Sequence, residues 1–117
     1  FMAQRFFNSF KYAAKGLRFA FKTQFNFRVH LLVALMVLLA GWQLQVSLLE
    51  WLVIAVCIGG VLAVELINTA IETLVDMVSP NFNAKAGLVK DIAAAAVLVV
   101  AFMAFIIGLV IFVPKIL

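Results

Sequence analysis

The sequence contains one cysteine, one histidine, one tyrosine, two prolines and only five acidic side chains in 117 residues. A lone Cys57 excludes an intrachain disulfide, and its apolar surroundings in the sequence make it a small buried hydrophobe rather than a redox centre. His30 has no second His or Cys at zinc-ligand spacing, which reads as an interfacial hydrogen-bonding residue rather than a metal ligand. There is no phosphate loop of the type GxxxxGK followed by Ser or Thr, and there are no glycine-rich or HRD-type motifs of protein kinases. Internal repeats and low-complexity stretches are absent as well. Charges recur through Lys22 with no apolar run before Leu31, so the amino end lacks the apolar core of a signal peptide and is expected to stay in the mature protein.

Apolar residues make up what remains. They account for 68% of the chain, with a mean hydropathy of +1.23, against about 45–50% in soluble domains. The chain therefore reads as an integral membrane protein. At about 20 residues per crossing, its length allows three spanning helices and a short extramembrane element, and leaves no room for a sizeable soluble domain.

Four polar side chains interrupt the second apolar stretch: Glu65, Asn68, Glu72 and Asp76, in VLAVELINTAIETLVDMV. At about 100° per residue, spacings of three, four and four place them within roughly 80° of one helical face. Each carboxyl in hydrocarbon costs at least about 2.5 kcal/mol on insertion scales. A stripe that only joined helices would need a single Asn; three acids on one face invite a metal or another cation.

The first element, residues 4–22, carries Lys11, Lys15, Arg18 and Lys22 on one helical stripe and Phe6, Phe10, Leu17 and Phe21 on an adjacent one. This pattern predicts an amphipathic helix lying in the membrane interface, aromatic face down, the alternative being a solvated basic face on a core helix. The net charge of +4, with six of nine cations before residue 29, suits a lipid surface better than nucleic acid. A polar joint is expected from Thr23 to His30, then apolar spans at about 29–49, 51–78 and 91–113. The first break carries Trp42, Glu50 and Trp51, and the second, SPNFNAKAGLVK, contains Pro80 and Gly87. Gly59-Gly60 reads as a close helix-packing point.

Eight cations, Arg5 through Arg28 with Lys85 and Lys90, lie on one side of these spans, and only Lys115 lies on the other. The positive-inside rule then places the amino end and the second break in the cytoplasm. Glu72 and Asp76 approach that face, with Glu65 about 10 Å deeper. Lys90 and Asp91, expected to open the third span, would meet them across the hairpin. Carboxylates with a lysine at a cytoplasmic interface suit a magnesium-bound polyphosphate. The bland alternatives are Asp91 stabilising a helix amino end and Lys90 snorkelling to headgroups. Helix spacing alone fits an ion channel, a proton relay or an enzyme.

The segments ELINTAIE (65–72), Val75-Asp76 and KDIAAAAV (90–97), together with SFKYA (9–13), Lys15-Gly16-Leu17 and NFRVH (26–30), resemble the small bacterial membrane lipid kinases of the diacylglycerol kinase and undecaprenol kinase family. The resemblance spans almost the whole chain. It implies an all-α homotrimer of three-span subunits, each with an interfacial amino-terminal helix, in the bacterial inner membrane. The implied reaction transfers the ATP γ-phosphate to the hydroxyl of a membrane lipid alcohol. By position, Glu65 would be the general base and Glu72 a Mg2+ ligand. Asn68, Asp76, Lys90 and Asp91 would surround nucleotide and metal, and Arg5 and Tyr12 would approach the nucleotide from the surface helix.

There are departures from the family pattern. Gln24 stands where the family usually has a second metal-binding Glu, and a neutral amide oxygen is a poorer Mg2+ ligand than a carboxylate. Asn83 replaces a His common in that loop, and Ala94 and Ala95 replace small Gly or Ser residues. The NFRVH and SFKYA segments favour undecaprenol over diacylglycerol as acceptor. The reading from another class is a non-catalytic or proton-relaying helix bundle.

Overall fold

Four helices account for nearly all of residues 1–117, which the computed structural model describes in full: α1 (Met2–Thr23), α2 (Phe25–Gln43), α3 (Leu48–Val78) and α4 (Ala84–Ile116). The all-helical expectation holds. α2, α3 and α4, at 19, 31 and 33 residues, are each long and apolar enough to cross a bilayer. At 1.5 Å per residue α3 and α4 extend about 46 and 50 Å, well beyond a hydrocarbon core of about 30 Å. That surplus length is taken up by tilt or by ends that project past the apolar layer.

The boundaries differ most from the expected ones at three places, each for a local reason. The joint at Thr23–His30 shrinks to one extended residue, Gln24 (φ −110°, ψ 107°), and α2 starts at Phe25. Arg28 makes so tight a corner possible by donating from its guanidinium to the carbonyls of Phe21 (2.7 Å) and Lys22 (3.1 Å), two acceptors left over at the end of α1. α2 stops at Gln43, six residues early, because Gln45 takes a left-handed conformation (φ 53°) and Ser47 then caps α3. That cap is reciprocal: Ser47 Oγ accepts from the Glu50 amide at 3.1 Å, and Glu50 Oε1 accepts from the Ser47 amide at 2.8 Å. α4 starts at Ala84, seven residues early, because Asn83 Oδ1 accepts from the amides of Lys85 and Ala86. Asp91 therefore lies two turns inside α4 and has no helix end to stabilise, which corrects the reading of it as an early-turn helix acid.

α3 is the central helix. α4 runs antiparallel along it, and α2 and α1 pack on it elsewhere. Gly41 sets the α2–α3 approach: a Cβ there would sit 2.7 Å from Trp51 Cη2, so the indole lies against bare α2 backbone. Only 11 of 117 residues are buried, and a small apolar cluster of Val46, Ile54 and Ile111 forms at the far end of the α3–α4 hairpin. So small an interior leaves long rows of Leu, Val, Ile and Phe exposed on α2, α3 and α4, a surface made for lipid tails or other helices.

Candidate functional site

α3 presents its four polar residues along a gradient of access. Glu65 is 2% exposed and Asn68 7%, Glu72 is half-buried, and the Asp76 side chain is 64% exposed. The gradient follows from position: Glu65 lies mid-helix under its neighbours, while Asp76 is in the last turn before Val78 ends α3. The stripe thus runs from a dry end to a wet one over about 16 Å of helix.

Each member has distinct surroundings. Asn68 Nδ2 donates to Glu72 Oε1 at 2.7 Å, one turn on. Asp76 Oδ1 accepts from Lys90 Nζ at 2.5 Å, an ion pair that ties the end of α3 to α4. Thr69 and Thr73 donate back to the carbonyls of Glu65 and Thr69, so their hydroxyls are satisfied within α3. Two buried oxygens on the stripe lack a hydrogen bond: Glu65 Oε2 and Asn68 Oδ1. Buried polar atoms are normally paired, which singles these two out among the oxygens of the stripe.

His30, on α2, puts Nε2 3.8 Å from Glu65 Oε2. The sequence reading gave His30 no partner, because 35 residues separate the two. The available signal was its place in the first turns of an apolar helix, the one polar ring at the start of that span. His30 also lines an apolar cavity of about 510 Å³ walled by α2, α3 and α4, with Val33, Val61 and Phe105 among its other lining residues.

The structure therefore brings Asn68 to Glu72, Asp76 to Lys90 and Glu65 to His30. It does not join the remaining candidates to them. Arg5 stacks on the Phe1 ring at 4.9 Å, Tyr12 is 69% exposed, and Asp91 is exposed without an ion-pair partner. Gln24 is half-buried and donates to Thr23 Oγ1 at 3.2 Å, with no hydrogen bond to Glu72.

No group of three or more His, Cys, Asp or Glu side chains converges as a metal cage would. Mg2+ does not need one: it takes one or two carboxylates, keeps waters and shares the phosphates of a nucleotide. Glu72, a half-buried carboxylate whose Oε1 accepts from Asn68 Nδ2, is a hard-oxygen ligand of that kind. The donor set fits the ion.

The sequence carries the same message along its length. The model of the prokaryotic diacylglycerol kinase family matches residues 11–112. The undecaprenol kinase of Bacillus subtilis is 43% identical over 111 residues, covering 95% of this chain and 90% of that protein. A diacylglycerol kinase of Synechocystis is 40% identical over 101 residues, 86% of this chain and 58% of that protein. The diacylglycerol kinase of Escherichia coli K12 is 34% identical over 96 residues, 81% of this chain and 78% of that one. With a graded acidic stripe on a spanning helix, a lysine paired at its wet end and a family match over most of its length, the chain belongs to the prokaryotic diacylglycerol kinase family of membrane lipid kinases.

Proposed function

We propose that this chain transfers the γ-phosphoryl group of ATP to the terminal hydroxyl of a membrane lipid alcohol, with undecaprenol as the favoured acceptor. The observation that carries the reading is the stripe itself, dry at Glu65 and wet at Asp76. An apolar acceptor reaches the dry end from the bilayer and a nucleotide reaches the wet end from the cytosol. Undecaprenol is favoured because the undecaprenol kinase relative matches at 43% identity over 95% of the chain. Diacylglycerol as acceptor, giving phosphatidic acid, is the second reading, supported by the diacylglycerol kinases at 34–40% identity.

Each residue has a part. Glu65, buried and with Oε2 unbonded, takes the proton from the lipid hydroxyl as that oxygen attacks phosphorus. Glu72 would hold Mg2+, which when bound would neutralise charge on the phosphates, and Asn68 would stand beside nucleotide and metal. Asn68 also fixes the Glu72 carboxylate through its 2.7 Å hydrogen bond. Lys90 draws phosphate oxygens to the interface, and Asp76 holds its ammonium in place. Arg5, Tyr12 and Asp91 complete the nucleotide site, and Gln24 the metal site.

α1 lies in the interface with Lys11, Lys15, Arg18 and Lys22 at the headgroups, and the amino end and the α3–α4 loop are cytoplasmic. The eight-to-one cation asymmetry supports this orientation. Assembly as a homotrimer is supported by the exposed apolar rows and by the site residues that a single chain leaves apart. A radiolabelled-phosphate assay in detergent micelles, with undecaprenol and diacylglycerol offered side by side, tests the reading. Label in undecaprenyl phosphate is expected; label in neither lipid overturns the kinase reading, and label in phosphatidic acid alone replaces the acceptor.

A further inference from the structure

Phosphoryl transfer from ATP to an alcohol leaves one proton behind. A base buried among spanning helices must lose that proton before the next turnover, and Glu65 is 2% exposed. Its Oε2 is buried without a hydrogen-bond partner, and the imidazole Nε2 of His30 stands 3.8 Å away. That distance is longer than a hydrogen bond, so the two are neighbours that a small approach would connect. The His30 side chain is 22% exposed against 2% for Glu65, so it can be reached from outside the helix packing where the carboxyl cannot. The other charged groups nearby are engaged: Glu72 accepts from Asn68, Lys90 pairs with Asp76, and Arg28 turns away to the carbonyls that end α1. Asp91 is exposed on α4.

We propose that His30 relays the transferred proton from Glu65 to the cytoplasmic side. The inference rests on the reading of Glu65 as the base. In the forward step the lipid oxygen bonds to the γ-phosphorus, the bond from phosphorus to the ADP oxygen breaks, and the hydroxyl proton passes to the Glu65 carboxylate. The Glu65 carboxyl then gives that proton to neutral His30 at Nε2, regenerating the carboxylate, and the imidazolium releases it to water. Imidazole suits this step because it gains and loses a proton near neutral pH. His30 also lines the apolar cavity between α2, α3 and α4, so it stands beside the space open to an acceptor's hydrocarbon chain as well as beside the base.

The test uses the full chain in detergent micelles with MgATP and undecaprenol, and compares His30→Ala, His30→Gln and Glu65→Gln. Glutamine can donate a hydrogen bond but cannot carry a proton away. Both His30 variants are expected to lose about tenfold or more in turnover, at the low end of general acid–base effects, with the KM for each substrate little changed. Free imidazole added to His30→Ala is expected to restore turnover, a rescue that also proves the variant folded. Wild-type turnover in His30→Gln overturns the relay, because a hydrogen-bonding side chain then suffices. So does a folded, slow His30→Ala that ignores imidazole. Should Glu65→Gln be inactive while the His30 variants run normally, the relay fails and the base stands; a fully active Glu65→Gln removes the base reading and the relay with it.

Discussion

Lys115 Nζ lies 3.1 Å from Glu50 Oε1, so the α3–α4 hairpin carries an ion pair at each end, the other being Lys90 with Asp76. The pairs are 26 residues apart on α3 and 25 on α4, which at 1.5 Å per residue is about 38 Å. That separation exceeds a hydrocarbon core of about 30 Å, so a hairpin crossing a bilayer has room to keep both pairs within reach of water and headgroups. The hairpin is thereby held in register across the membrane, and its two ends are chemically distinct.

The proposed orientation rests on which end carries the cations. With Cys57→Ala as background, Lys85→Cys is expected to resist an impermeant thiol reagent in intact cells and Leu117→Cys to react, since eight of nine cations lie on the side of position 85. Labelling of position 85 and not 117 would reverse the topology.

Glu65→Gln should fold, because the amide keeps the size of the buried side chain and removes its charge. Lipid phosphorylation is expected to fall by about 100-fold or more, the scale of a lost general base. Near-normal turnover would show that Glu65 does not take the proton.

Glu72→Ala removes the carboxylate that Asn68 orients. Binding of MgATP, measured by titration, is expected to weaken more than binding of the lipid, because the part proposed for the carboxylate is at the ion that neutralises the phosphates. Unchanged MgATP affinity with a raised lipid constant would assign the residue to the acceptor.

At position 24 an amide stands where a carboxylate would be the better Mg2+ ligand. Gln24→Glu is expected to lower the magnesium concentration needed for half-maximal activity and to leave the fold intact, since residue 24 is a single extended residue between α1 and α2. An identical magnesium dependence in both forms would remove residue 24 from the metal.

Gly41→Ala tests the packing of α2 on α3. The added methyl group meets Trp51 Cη2 at 2.7 Å, so the indole must move. A loss of about 1–3 kcal/mol is expected, the usual cost of overpacking, read as a shorter half-life of activity on heating in detergent. Trp51→Leu in the same chain should recover part of it. Equal half-lives for Gly41→Ala and the parent would show that the contact yields freely.

The all-helical character, the three apolar spans and the acidic face of the second were legible in the sequence because each is local. Apolar run length reports a span, and spacing of three or four residues reports a helical face, with no knowledge of neighbours. The same locality explains the missed boundaries: Arg28 closing the end of α1 and Asn83 starting α4 are side-chain to backbone contacts that hydropathy does not register. Composition alone left channel, relay and enzyme equal, and the order of residues matched to a family was needed to choose.

Tertiary structure decided which polar residues meet. Helical spacing places Glu65, Asn68, Glu72 and Asp76 on one face, yet only the packing of α2 and α4 on α3 makes Glu65 dry and leaves Asp76 wet. It also brings His30 to within 3.8 Å of Glu65 across 35 residues of chain, a distance set by where two helices cross. Helix periodicity determines faces; the burial and partners of each face depend on neighbouring helices, and so they emerge only when the chain is folded.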